Sequence, residues 1–404
     1  MQHRTLRFDG SLLFAAAALA AAPVLAAEVY LQPIATLTAE TDSNLDLDPS
    51  VKQEVQGYLL DAATIIGIAT QESNTIFRPR IVYRYYPQES ADNRLEAYLD
   101  LNTSYRTQRS TASLVGSIEH LDQFNAELTS ALYNDVNPVQ PPPDTGKVTV
   151  GATRDSAILD PKYVYNFTPI IGAGVSGQYQ VVNYSPAGDT SHVDFDYYQA
   201  RAFLTWTYSQ TSDVSFGGYG SKYEATHFAS RATGSGATMD LNTTWTPLLS
   251  TKASVIYQHT NIDDVLPTPL NTQNNAWGAS VAAIYKTQVD QFRLNAGRSI
   301  SPSGGGAVFD VDRLQFQYDR IFGPRLSFTG ALVGLRTHAL TANIAGDDRK
   351  YAQTILEAKW KMTPTWFVQG GYQFAWQKYQ YDLTSGINNR FYIQIGYQGL
   401  GQER

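Results

Sequence analysis

The feature that most limits this chain is an alternation of apolar and polar residues with a period of two. It recurs in segments of about ten residues, separated by turn residues. In residues 93–106, Leu95, Ala97, Leu99, Leu101 and Tyr105 share one face, while Arg94, Glu96, Tyr98, Asp100, Asn102 and Arg106 share the other. The preceding segment sets Phe77, Ile81, Tyr83 and Tyr85 against Arg78, Arg80 and Arg84, and residues 87–92 make a short polar connection. The pair reads as a hairpin. The same stripes return at 198–208, 277–286, 313–319, 366–377 and 390–398. Side chains alternate across a strand, so each segment has one greasy and one wettable face.

A soluble all-β array also alternates, but its water-facing side is rarely this rich in Trp, Tyr and Leu. A closed barrel in lipid pairs every backbone group and needs only half-apolar strands. Aromatic residues stand at the ends of many stripes, where interfacial girdles belong. Tyr (26) and Gly (30) are abundant, Met (3) is scarce, and no composition shift marks a second domain. The expected fold is therefore all-β: a transmembrane, antiparallel, up-and-down β-barrel of about eighteen strands, or about sixteen if two weak segments fail. The weak ones are 54–70, whose faces are ambiguous, and 147–165, interrupted by Asp160-Pro161.

Breaks alternate in length. Short ones fall near 71–74, 107–110, 209–212, 247–251, 323–324 and 363–365, and longer polar ones near 42–52, 185–193, 263–274, 301–306, 337–350 and 380–388. Bacterial barrels keep short turns in the periplasm, which predicts an outer-membrane location with both termini periplasmic. Residues 1–26 fit a cleaved secretory signal: His3, Arg4 and Arg7, an apolar run over 11–22, then Val24-Leu25-Ala26 before the cut. Residues 27–404 then form a single barrel. The absence of Cys excludes a disulfide scaffold and thiolate metal sites. Residues 122–160, with Pro138, Pro141, Pro142 and Pro143, form a long external loop that either folds into the mouth or hangs free.

The polar faces predict the lumen. Basic candidates are Arg78, Arg80, Arg84, Arg94, Arg106, Arg201, Lys286, Arg293, Arg313, Lys359 and Arg390; acidic ones are Glu96, Asp100, Glu119, Asp319 and Glu357. The basic excess contrasts with the whole chain's formal charge of −7. A wall of one sign concentrates the opposite ion, so anionic cargo is favoured if these cations stand free. The competing reading pairs them across strands with Glu96, Asp100 and their like. Arg80 and Arg94 are the candidates for a basic ladder. Gln, Asn, Ser, Thr and Tyr on the same faces also suit uncharged sugars.

Nothing points to catalysis, a cofactor or a metal. The histidines are scattered, Thr226-His227 with Ser230 is the nearest thing to a hydrolase arrangement, and Asp42, Asp46 and Asp48 read as a solvated loop before a calcium site. No feature suggests nucleic acid.

The start of the mature chain, Val29-Tyr30-Leu31-Gln32-Pro33, followed by a polar-alternating strand and Thr41-Asp42-Ser43-Asn44, resembles the β-barrel porin 2 family, as do the 78–106 hairpin and the single-barrel length. That resemblance implies a role in exopolysaccharide export, with an anionic polysaccharide as cargo and a periplasmic export partner. It carries over no catalytic residues. The alternative is a general or anion-preferring porin for small solutes; a barrel enzyme or adhesin comes last. The tail Gly401-Gln402-Glu403-Arg404 departs from the usual aromatic terminus and trails beyond the last strand.

Overall fold

The computed structural model describes residues 27–50, 52–88, 93–122, 132, 153–185, 192–225, 231–264, 270–304, 308–339, 348–380 and 383–403. The leader read at 1–26 and the Thr226–Ser230 arrangement lie outside them. The first strands are β1 (Glu28–Asp42), β2 (Val55–Ala69), β3 (Ser73–Tyr85), β4 (Arg94–Arg106), β5 (Ser110–Asp122) and β6 (Thr153–Asn166). Next come β7 (Ile171–Ser185), β8 (Phe195–Ser209), β9 (Ser212–Ala225), β10 (Arg231–Thr246), β11 (Leu249–Asp264) and β12 (Leu270–Lys286). The last are β13 (Asp290–Pro302), β14 (Val308–Ile321), β15 (Leu326–Ala339), β16 (Arg349–Lys361), β17 (Trp366–Tyr379) and β18 (Gly386–Gln398).

Each strand pairs antiparallel with its neighbours in the chain, and β18 returns to β1 from Ile34↔Gln398 to Asp42↔Arg390. The sheet thus closes into an eighteen-stranded barrel. Closure removes the edges, so the backbone polar groups within the wall meet partners there rather than lipid. Pro33 has no N–H to give; its carbonyl accepts from Gly399 N at 2.8 Å. The chain bulges there, and Gln402–Glu403 resumes pairing with Leu31 and Tyr30. The tail therefore does not trail free; it extends the seam.

Connections 70–72, 107–109, 167–170, 210–211, 247–248, 287–289, 322–325 and 362–365 are short and share one end. Several are built alike: the hydroxyls of Thr70, Thr107, Thr287 and Thr363 accept the backbone N–H three residues on, each at 2.9 Å. The turns at 167–170 and 287–289 were not among the breaks read from sequence, and 87–92 belongs to the opposite, long-loop end. The long loop is shorter than its predicted 122–160, because β6 already begins at Thr153. Pro161 does not end that strand. It pairs with Leu114 on β5, while the β6–β7 ladder skips positions 160 and 161.

One face of every strand is exposed and apolar. Leu37, Leu60, Ile81, Leu95, Leu204, Val281, Ile393 and Ile395 all lie on it, with Trp206, Trp245, Trp360 and Trp366 toward the short turns. This is the lipid-facing band. A buried apolar cluster sits inside the barrel. Phe309, Val311, Ala331, Val333, Leu335, Tyr351, Ile355 and Ala375 turn inward on β14–β17 and pack with Leu47 from the 43–54 loop. Leu132, the described residue of the 123–152 segment, packs on the same cluster. At that residue the long loop reaches the barrel's inner packing rather than open solvent.

Candidate functional site in the barrel lumen

Register places all eleven basic candidates on the face opposite the lipid band, but it places them in different settings. On the arc from β18 through β1 to β6 five arginines are paired. Arg78 meets Asp100 at 2.5 Å, Arg80 meets Asp61 at 2.9 Å, and Arg84 meets Glu96 at 3.4 Å. Arg94 lies 2.9 Å from Asp122 and 3.6 Å from Asp46, and Arg390 is ion-paired with Glu40. Tyrosines finish the network. Tyr98 donates to Glu96 at 3.0 Å and Tyr86 to Glu40 at 3.1 Å, while Tyr392 donates to Glu357. Burial and the neighbouring Glu40 carboxylate push the Tyr86 phenol up, which keeps it a donor.

The remaining candidates divide again. Arg201 pairs with Asp240 and its guanidinium lies 4.9 Å over the Phe203 ring. Arg293 stands 3.9 Å from Asp319, and Arg313 donates to Gln315 at 3.1 Å. Lys359 caps the ring of Phe367 at 3.7 Å. Arg106 and Lys286 end β4 and β12, at the short-turn rim rather than within the wall. The basic ladder of Arg80 and Arg94 is thus a ladder of ion pairs. A paired cation presents its free N–H groups to the lumen but little net field beyond a Debye length of about 8 Å.

Sequence reading missed much of the acidic side. Glu40, Asp42, Asp61, Asp160, Asp213 and Asp240 also face inward by register, as do Arg154, Lys162, Lys252, Arg349 and Lys361. Alternation within 32–42 and 154–164 would have found several of them. Lys162, Lys252 and Lys361 are exposed, and among the described residues no ion pair engages them or Lys359. All four lie toward the short-turn half, so net positive field concentrates there and not on the arginine arc.

Loop residues pack inward at two places on the long-loop mouth. Loop 43–54 leans over β17 and β18: Gln377 Nε2 donates to Leu47 O at 3.2 Å and Asn44 Nδ2 to Ile387 O at 3.2 Å. Leu47 holds a positive φ of 52°, an uncommon setting for a branched side chain that its buried packing enforces. Residues 303–304 reach toward β8 and β9, where Ser303 O accepts from Tyr223 Oη at 2.9 Å and Gly304 O from Val193 N at 2.7 Å. Leu132 packs on the same cluster as Leu47. This corrects the reading of 42–48 as a solvated loop. Asp42 is buried and accepts from Asn388 at 2.9 Å, and Asp46 is paired to Arg94.

No family model matches the chain, and no curated protein is similar to it. The resemblance to the β-barrel porin 2 family therefore gains no support. Among solved structures the chain is similar to OccAB4 of Acinetobacter baumannii, at 10% identity over 94% of this chain and 100% of that one, with a TM-score of 0.43. It is similar to OccK2 (OpdF) of Pseudomonas aeruginosa at 13% identity over 92% and 98%, also with a TM-score of 0.43. A BenF-like porin from Pseudomonas fluorescens Pf-5 matches at 10% identity over 92% and 99%, with a TM-score of 0.42. Likeness at that level says nothing of what the present chain carries.

Proposed function

We propose that this barrel is an outer-membrane channel for small polar solutes, with anions favoured, its termini in the periplasm and its long loops outside. The observation that supports this is the combination of a polar, ion-paired lumen with a mouth narrowed by inward-packed loops. Such a wall offers guanidinium donors, carboxylate acceptors and amides at close quarters while excluding bulk. The eleven basic residues form the pathway in unequal parts. Arg78, Arg80, Arg84, Arg94, Arg201, Arg293 and Arg390 shape and hydrogen-bond, whereas Lys359, with Lys162, Lys252 and Lys361, supplies the field that selects for charge.

Polysaccharide export is not retained as the lead. It rested on a family resemblance that no family model matches, and the arginine wall it invoked is neutralised locally. Planar-bilayer recordings in a salt gradient test the proposal. The expected reversal potential shows mild anion preference, which the combined variant K252Q/K359Q/K361Q moves toward cations without loss of conductance. Cation preference in the unmodified protein, or no conductance at all, contradicts it.

A further inference from the structure

On the outer wall, register sets Arg336 of β15 opposite Lys350 of β16, and Lys350 opposite Lys378 of β17. Side chains directly opposite on antiparallel strands stand about 5 Å apart, and like charges so placed repel. Other outward cations near the long-loop end are matched. Arg298 holds Asp312 at 2.6 Å, Lys222 holds Glu224 at 2.9 Å, and Arg231 lies 3.6 Å from that same carboxylate. Among the described residues no ion pair engages Arg336, Lys350 or Lys378. Three acids lie on the same outward face, and one of them, Asp310, stands opposite His338. Asp348 is bound to His338 at 2.6 Å, and Asp312, opposite Arg336, holds Arg298.

These cations line a cavity of about 440 Å³ with His338, Asp348 and Gln380. One outward step toward the lipid band, register aligns Leu314, Gly334, Ala352 and Trp376. Nothing lies within 4 Å of where a Cβ on Gly334 would stand, so the small residues leave an open slot between Leu314 and Trp376. Along the tilted β16, Lys350 stands roughly 25 Å above Trp360, the height of a barrel's lipid-facing band. The cations therefore meet the headgroup layer, and the slot meets the chains beneath it.

Mutually repelling cations that no ion pair engages among the described residues, set above an apolar slot, fit an anion that carries a tail. We propose that this face binds a phosphorylated lipid of the long-loop-side leaflet. The phosphate sits among Arg336, Lys350 and Lys378, where Arg336 can grip two oxygens while the lysines act as point charges, and an acyl chain lies over Gly334 and Ala352. The site is independent of whatever crosses the lumen.

Native mass spectrometry of the full barrel in neutral detergent tests this with bis-phosphorylated lipid A, its dephosphorylated counterpart and inorganic phosphate. The expected result is selective retention of the phosphorylated lipid, weakened about a hundredfold in R336Q/K350Q/K378Q and unchanged in K222Q/R231Q. G334L, which fills the slot, should weaken the lipid while leaving the cations in place, and heat-modifiable gel migration reports that each variant is still a folded barrel. Equal retention of the dephosphorylated lipid, undiminished binding by the triple variant, or displacement by inorganic phosphate at comparable concentration overturns the proposal.

Discussion

The lumen has two unlike sides. From β18 through β1 to β6 the inward face is ionic: Arg78, Arg80, Arg84, Arg94 and Arg390 each hold a carboxylate of another strand. From β14 to β17 the inward face carries an apolar cluster instead, in which Phe309, Val333 and Leu335 pack with Leu47 and Leu132 beside polar neighbours such as Gln315, Gln353 and Gln377. The 43–54 loop bridges the two, since Asp46 answers Arg94 on one side while Leu47 packs on the other. An inward polar face is thus a necessity only where water reaches it. Where a loop covers the wall, hydrophobic packing replaces hydration, and where cations crowd, carboxylates cancel their field.

The comparison can be broken from either side. The largest effect should come from Arg94→Met, because Arg94 is only 8% exposed and its loss strands Asp122 and Asp46. Removing one partner of a buried pair costs about 3–5 kcal/mol, so thermal unfolding in detergent should fall sharply, with conductance rising as the loop loosens. Phe309→Ala attacks the apolar side. Phe309 is fully buried, and such truncations cost about 3–5 kcal/mol. Its slack should widen the pore without altering ion preference. A smaller effect is expected of Arg80→Ala. Arg80 and Asp61 remain 34% and 27% exposed, so a double-mutant cycle with Asp61→Ala should return a coupling of at most about 1 kcal/mol after solvent screening. Its reversal potential should barely move; a large shift would mean that the arginine arc, not the lysines, sets selectivity.

The barrel was legible wherever one face met lipid and the other met water. Alternation alone does not orient β15, where Leu332 faces outward and Ala331, Val333 and Leu335 face a covered interior, so both faces are apolar. The same ambiguity left the faces of 54–70 open; there β2 forms, with inward Leu59 buried and Tyr58 and Leu60 outward. Ion pairing was half legible. Asp100 and Glu96 were visible as partners because they share a hairpin with Arg78 and Arg84. Asp61, Asp240 and Glu40 depend on registers set by intervening turns and by closure of the barrel, which local pattern does not encode. Inward loops escaped because Gly, Asp and Ser serve equally in a loop that hangs free and in one pinned by Tyr223 or Gln377.

All of this depends on which way alternate side chains point, and the absence of native cysteine makes that directly measurable. Single cysteines placed in turn from Ile355 to Trp360 on β16 should label in a strict alternation in membranes. Positions 357 and 359 should react with a charged, water-soluble thiol reagent, and positions 356, 358 and 360 only with a lipid-soluble one. Uniform reactivity along the strand, or the inverse alternation, would contradict the barrel's assigned inside and outside.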